Sequence, residues 1–150
     1  MAKNTKRLFI LSADDDAEDR MLFEEALQSV GAEHLLFSVY NGERLITFLN
    51  DSYRKEELMP NVIFLDLNMP IKNGKEVLKI IKADDSPFRY IPVVLLTTSA
   101  SVADIEECYR LGANLFIIKP ASFTELAKIL KDLMALFTIV VELPPSLTSH

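Results

Sequence analysis

The feature that most constrains this chain is an alternation: short apolar runs trade places five times with stretches of helical period. The runs are Leu8 to Leu11, Leu35 to Tyr40, Val62 to Leu65, Val93 to Leu96 and Leu115 to Ile118. Each is rich in Val, Ile, Leu or Phe, and most are apolar at successive positions, as parallel strands covered by helices on both faces are. Between them, Phe23, Ala26, Leu27 and Val30 repeat at helical spacing, as do Leu126, Ile129, Leu130, Leu133 and Phe137. Shorter stripes run through Leu45, Phe48 and Leu49, through Val77, Ile80 and Ile81, and through Val102, Ile105 and Tyr109. Ser122 and Glu125 have the spacing of a capping box at the last helix. Five βα units within residues 1–137 predict an α/β fold, a doubly wound parallel sheet. Two segments stand outside the pattern: the polar stretch 51–61 and the tail 138–150.

Composition excludes several classes. With 150 residues, one domain with a full core is expected, spanning residues 1–137. The net charge of -6 provides no basic field for nucleic acid or an anionic membrane, and no apolar run is long enough for a membrane span. A cytoplasmic location is expected. Cys108 has no second cysteine to pair with, and with His34 and His150 the only imidazoles there is no zinc-type ligand set. Cys108 is expected to pack on a helix.

In a doubly wound sheet, ligands bind beyond the carboxyl ends of the strands, where strand order reverses. Asp14 and Asp15 follow the first strand, Asp66 the third, Thr97 and Thr98 the fourth, and Lys119 the fifth. Three carboxylates, one or two hydroxyls and an ammonium therefore converge. Hard oxygen ligands without histidine suit Mg²⁺, or Mn²⁺ in its place. A carboxylate beside such an ion can attack a phosphoryl group to form an aspartyl phosphate, with lysine and threonine holding the remaining oxygens. The like charge of Asp14, Asp15 and Asp16 is then tolerated because a cation sits among it. Taken singly, each residue has an ordinary structural role available, as a helix cap, a strand end or a loop entry; only their convergence points to a phosphoryl site.

Four motifs carry a family resemblance: Ile10-Leu-Ser-Ala-Asp-Asp-Asp16, Val62-Ile-Phe-Leu-Asp-Leu-Asn-Met-Pro70 followed by Gly74, Pro92-Val-Val-Leu-Leu-Thr-Thr98, and Gly112-Ala113 leading to Ile118-Lys-Pro120. In this order they resemble the receiver domain of bacterial two-component response regulators, over residues 5 to 137. The resemblance implies the (βα)5, flavodoxin-like or CheY-like fold with strand order 2-1-3-4-5. It implies that Asp66 accepts a phosphoryl group from a sensor histidine kinase or a histidine phosphotransfer protein. Asp15 would ligate the metal directly, Asp14 mainly through water, and Asn68 through its backbone carbonyl. Thr97, with Thr98 beside it, matches the switch hydroxyl and Lys119 the phosphate-binding lysine, with a cis peptide between Lys119 and Pro120. Asn68 and Ser99 would tune hydrolysis of the acyl phosphate. Asp16 matches no metal position and is expected to cap a helix.

The chain departs from the common pattern at Phe116, which replaces a frequent tyrosine, and in the length of segment 51–61. With the tail Val140-Val-Glu-Leu-Pro144, it is similar to stand-alone regulators found beside bacteriophytochromes and other sensor kinases. The expected output is by protein contact through the fourth helix, fifth strand and fifth helix, with Phe116 turning inward as Thr97 moves. The tail is expected to lie extended against the domain or a second copy and to support a homodimer. Self-phosphorylation and slow hydrolysis would be the only catalysis. A phosphohydrolase would place a second acid at position 68, where Asn68 stands, and a flavodoxin would not present an acidic first loop to phosphate. The competing reading is a docking module that is never phosphorylated.

Overall fold

A computed structural model describes residues 7–31, 33–98 and 100–140. Its strands are β1 (Phe9–Ala13), β2 (Leu35–Val39), β3 (Val62–Leu65), β4 (Val93–Thr97) and β5 (Leu115–Ile118). They form one parallel sheet in the order β2-β1-β3-β4-β5. The helices are α1 (Ala17–Ser29), α2 (Gly42–Arg54), α3 (Gly74–Ile81), α4 (Val102–Arg110) and α5 (Phe123–Ala135). The predicted fold class and strand order are those observed.

The continuous apolarity of the central strands follows from this arrangement, since successive side chains enter different layers. Ile10, Val62, Phe64, Val94 and Leu96 pack with Phe23, Ala26 and Leu27 of α1 and Leu130 and Met134 of α5. Leu11, Ile63, Leu65, Val93 and Leu95 pack instead with Leu45 and Leu49 of α2, Val77, Leu78 and Ile81 of α3, and Cys108 of α4. Each fully buried aliphatic side chain contributes about 1.5–3 kcal/mol, so both faces hold the strand ends firmly. Asp16 caps α1, accepting the N–H groups of Glu18 and Asp19. Full capping boxes start α3 (Asn73 with Glu76) and α4 (Ser101 with Asp104). At α5 only half of the expected box forms: the Glu125 N–H donates to Ser122 Oγ at 3.1 Å.

Three expectations change. The stretch 51–61 is partly helical, because α2 continues to Arg54 with Ser52 buried and Tyr53 edge-on to Phe88 at 5.7 Å. The stripe Val102, Ile105, Tyr109 is not the buried face of α4: Val102 is 73% and Tyr109 44% exposed, while Cys108 is fully buried. This short, acidic helix is anchored near its C-terminal end and stands clear of the core at its start. Residues Leu136–Val140 are not extended but form a π-helical turn continuing α5, with Phe137 and Thr138 buried. The Thr138 hydroxyl donates to the Met134 carbonyl at 2.6 Å, helping to hold this turn. Residues 141–150 lie outside the described residues, and with them the rest of the expectation for the tail.

Candidate functional site

The carboxyl ends of β1, β3, β4 and β5 bring the predicted residues together. Asp14 follows β1 directly, and its Oδ1 accepts the Asp16 N–H at 3.0 Å, which turns the chain into α1. Asp66 follows β3, held by its N–H to the Ala13 carbonyl at 2.9 Å. Asp14, Asp15 and Asp66 each offer a carboxylate oxygen, and these three oxygens lie within 4.8 Å of one another. Asp14 and Asp66 are buried, whereas Asp15 faces solvent at the rim.

Electrostatics at this cluster are unbalanced. The pKa of Asp66 is pushed up to about 6, chiefly by burial and then by the Asp14 charge. Lys119, the Thr97 hydroxyl and the Asn68 backbone N–H oppose that rise. Thr97 is fully buried, and its hydroxyl has no partner within hydrogen-bonding distance. It lies close enough to Asp66 to act on its charge, yet it is left unbonded. Thr98 is exposed at the rim.

Lys119 follows β5, and its N–H donates to the Thr97 carbonyl at 2.7 Å. Its ammonium reaches back across the sheet to Asp14 and, at 3.0 Å, to Asp19 on α1. Burial works against the ammonium, but the hydrogen bonds to Asp14 and Asp19 outweigh it and raise its pKa. The Lys119–Pro120 peptide is trans, contrary to the cis bond implied by resemblance. Trans is the lower-energy isomer of an X–Pro bond by about 0.5–1 kcal/mol, and the lysine reaches the acids from it. Phe116 is half-buried, and its N–H on the free edge of β5 donates to the Tyr109 hydroxyl at 3.0 Å.

Two contributors escaped the sequence reading. Asp19 lies in the first turn of α1, three residues past the Asp16 cap, so an acid in the first turn of a helix starting at the site was the available signal. Arg20 donates from Nη1 to the Asp14 carbonyl at 2.8 Å, fixing the strand end. Asn68 is exposed, and Ser99 lies outside the described residues. Beside the acids, a cavity of about 240 Å³ extends between α1 and α5, lined by Phe23, Phe64, Leu126 and the stem of Lys119 among others.

Three buried or clustered carboxylates with one raised pKa form a donor set that fits a hard divalent cation. The family model described as the response regulator receiver domain matches residues 10–131. This chain belongs to that family. The receiver domain is 34% identical over 136 residues to response regulator Rcp1 of Synechocystis, an alignment covering 90% of this chain and 92% of the relative. Among solved structures it is similar to the phosphorylated cyanobacterial phytochrome response regulator RcpA, with 33% identity and a TM-score of 0.83, covering 93% of this chain and 99% of that one. It is also similar to the Mn²⁺-bound form of Rcp1, with 33% identity and a TM-score of 0.80, covering 91% and 99%. The protein is thus a receiver domain of two-component signalling. Among the described residues, no helix is long and apolar enough to cross a membrane.

Proposed function

We propose that this receiver accepts a phosphoryl group on Asp66 from a phosphohistidine of a sensor histidine kinase or a histidine phosphotransfer protein. The observation that carries the reading is the packing of Asp14, Asp15 and Asp66 around one point, with Asp66 the acid whose ionisation burial opposes. Asp15, Asp14, Asp66 and the Asn68 carbonyl would hold Mg²⁺, or Mn²⁺ as in the Rcp1 neighbour. Bound there, the ion would neutralise charge on the acids and on the phosphoryl oxygens.

In the transfer, an Asp66 oxygen attacks phosphorus, the bond from phosphorus to the donor's imidazole nitrogen breaks, and the imidazole keeps that electron pair. Asp66 must be ionised to attack, and a pKa of about 6 leaves it mostly so at neutral pH. The phosphoryl group then supplies acceptor oxygens for the Thr97 hydroxyl, which has none, and competes with Asp14 and Asp19 for Lys119. Movement of Thr97 opens space for the half-buried Phe116, altering the surface of α4, β5 and α5. That surface already exposes Val102, Tyr109, Ile118 and Phe123, and it is the expected face for output or a second copy.

Residues 1–137 form the signalling unit in this reading, without a nucleic-acid partner. Because the relatives include a phytochrome response regulator, a phytochrome-type kinase is the expected donor class. Intact mass after incubation with acetyl phosphate and Mg²⁺ tests the reading. One phosphoryl adduct that disappears with EDTA supports it; an unmodified chain points to a docking module.

A further inference from the structure

The edge of the sheet at β2 lacks the devices that keep edge strands from pairing. β2 reads Leu35-Leu36-Phe37-Ser38-Val39, without a charge or a proline, and pairs with β1 along its whole length without a bulge. Among the described residues, no strand lies beyond it. The Leu35 N–H donates to the Leu8 carbonyl and the Val39 carbonyl accepts the Asp14 N–H, so the odd-numbered residues of β2 bond to β1. Alternation then turns the N–H and C=O groups of Leu36 and Ser38 outward. At the opposite edge, by contrast, the Phe116 N–H of β5 is taken by the Tyr109 hydroxyl.

Apolar side chains flank this open edge. Leu35 is 51% and Phe37 44% exposed. Phe37 stacks on Phe48 of α2 at 4.7 Å, and Phe48 meets Phe9 edge-on at 6.0 Å, which fixes the Phe37 ring in place. Charge at the two ends of the strand is opposite in sign: exposed Glu33 precedes it, and exposed Arg44, over the Tyr40 ring at 5.0 Å, follows it. A second copy running antiparallel matches each of these features. With a two-fold axis at Phe37, Leu36 of each copy faces Ser38 of the other, and the two exchange both N–H···O bonds. The two Phe37 side chains then stand side by side as the closely spaced, non-hydrogen-bonded pair, and Glu33 of one copy comes toward Arg44 of the other.

We infer that β2 is a self-association edge, along which two copies of this chain join antiparallel into one continuous sheet. This face is separate from α4, β5 and α5 and holds none of the acid cluster, so the pairing is independent of phosphorylation. The antiparallel arrangement points the two Asp66 sites in opposite directions, and a single donor surface cannot serve both at once.

The test is sedimentation equilibrium on the unphosphorylated full chain, from micromolar to submillimolar concentration, with Ser38→Lys, Phe37→Lys and, on the other face, Val102→Lys. Ser38 is exposed and its side chain makes no core contact, so Ser38→Lys is expected to keep the wild-type circular dichroism even if Phe37→Lys disturbs Phe48. Wild type and Val102→Lys are expected to approach twice the single-chain mass, and both β2 variants to stay at the single-chain mass. Amide exchange gives the position: the Leu36 and Ser38 N–H groups are expected to exchange more slowly as wild-type concentration rises. A wild type that stays at single-chain mass would overturn the assignment, as would a dimer that Ser38→Lys leaves intact or that Val102→Lys abolishes. A dimer that forms only after treatment with acetyl phosphate and Mg²⁺ would overturn it too.

Discussion

The Thr97 hydroxyl and the Asp66 carboxylate stand at the ends of adjacent strands, near enough for one to influence the other's charge and unjoined by a hydrogen bond. An unsatisfied buried hydroxyl costs about 1–3 kcal/mol. Thr97→Val keeps the shape and removes that cost. It is expected to stabilise the unphosphorylated domain by about 1 kcal/mol in urea denaturation at pH 4, where Asp66 is protonated, and by less at pH 8, because the hydroxyl also lowers the Asp66 pKa and its loss weakens the ionised form.

Asp66 itself makes stability depend on pH. Its pKa rises from 3.8 to about 6 on folding, so the folded state holds its proton more tightly and ionisation weakens the fold. Stability falls as pH climbs from about 4 through 6, by about 2–3 kcal/mol for a shift of this size. Asp66→Asn should stabilise the domain by roughly that amount at pH 8, and the gain should shrink toward nothing near pH 4. Chemical denaturation of both proteins across this range measures it. A gain that grows on acidification would have the wrong sign.

Lys119 is the counter-charge that Asp14 and Asp19 share. Lys119→Met should leave Asp14 buried among other carboxylates without its partner, lowering stability at pH 7 by about 3 kcal/mol. Because divalent ions bind the same acids in the proposed site, Mg²⁺ should recover much of the loss and should raise the variant's melting temperature more than it raises that of wild type.

Gly74 is fixed by contact. A methyl group there would meet the Asp66 carbonyl at 2.7 Å and Leu67 Cα at 2.9 Å, both backbone atoms that cannot turn aside. Gly74→Ala is expected to destabilise by about 1–3 kcal/mol, and to slow acetyl phosphate labelling by displacing the phosphoacceptor loop. Labelling at the wild-type rate in a folded variant would show that the loop tolerates the shift.

The fold was legible because the hydrophobic pattern changed period wherever the chain changed element, and the strand ends then placed Asp14, Asp66, Thr97 and Lys119 on one edge. What escaped depended on tertiary contacts. Val102 and Tyr109 have helical spacing, but α4 meets the core through Cys108 alone among its fully buried residues. The expectation of an extended tail failed over Thr138 to Val140 because Phe137 and Thr138 found burial by prolonging the last helix. The Lys119–Pro120 bond is trans, although the family resemblance implied otherwise. The link from Lys119 to Asp19 spans 100 residues of sequence, and no local pattern encodes a partner at that distance.

If Asp66 carries the phosphoryl group, borohydride trapping locates it there. Borohydride reduces an acyl phosphate at the modified carboxyl to an alcohol, so peptide mass mapping after acetyl phosphate and Mg²⁺ treatment locates the site. Reduction confined to position 66, abolished by EDTA, is the predicted result. Reduction at Asp14, Asp15 or Asp19 with Asp66 intact, or no reduced residue in a chain that binds Mg²⁺, would rule out Asp66 as the acceptor.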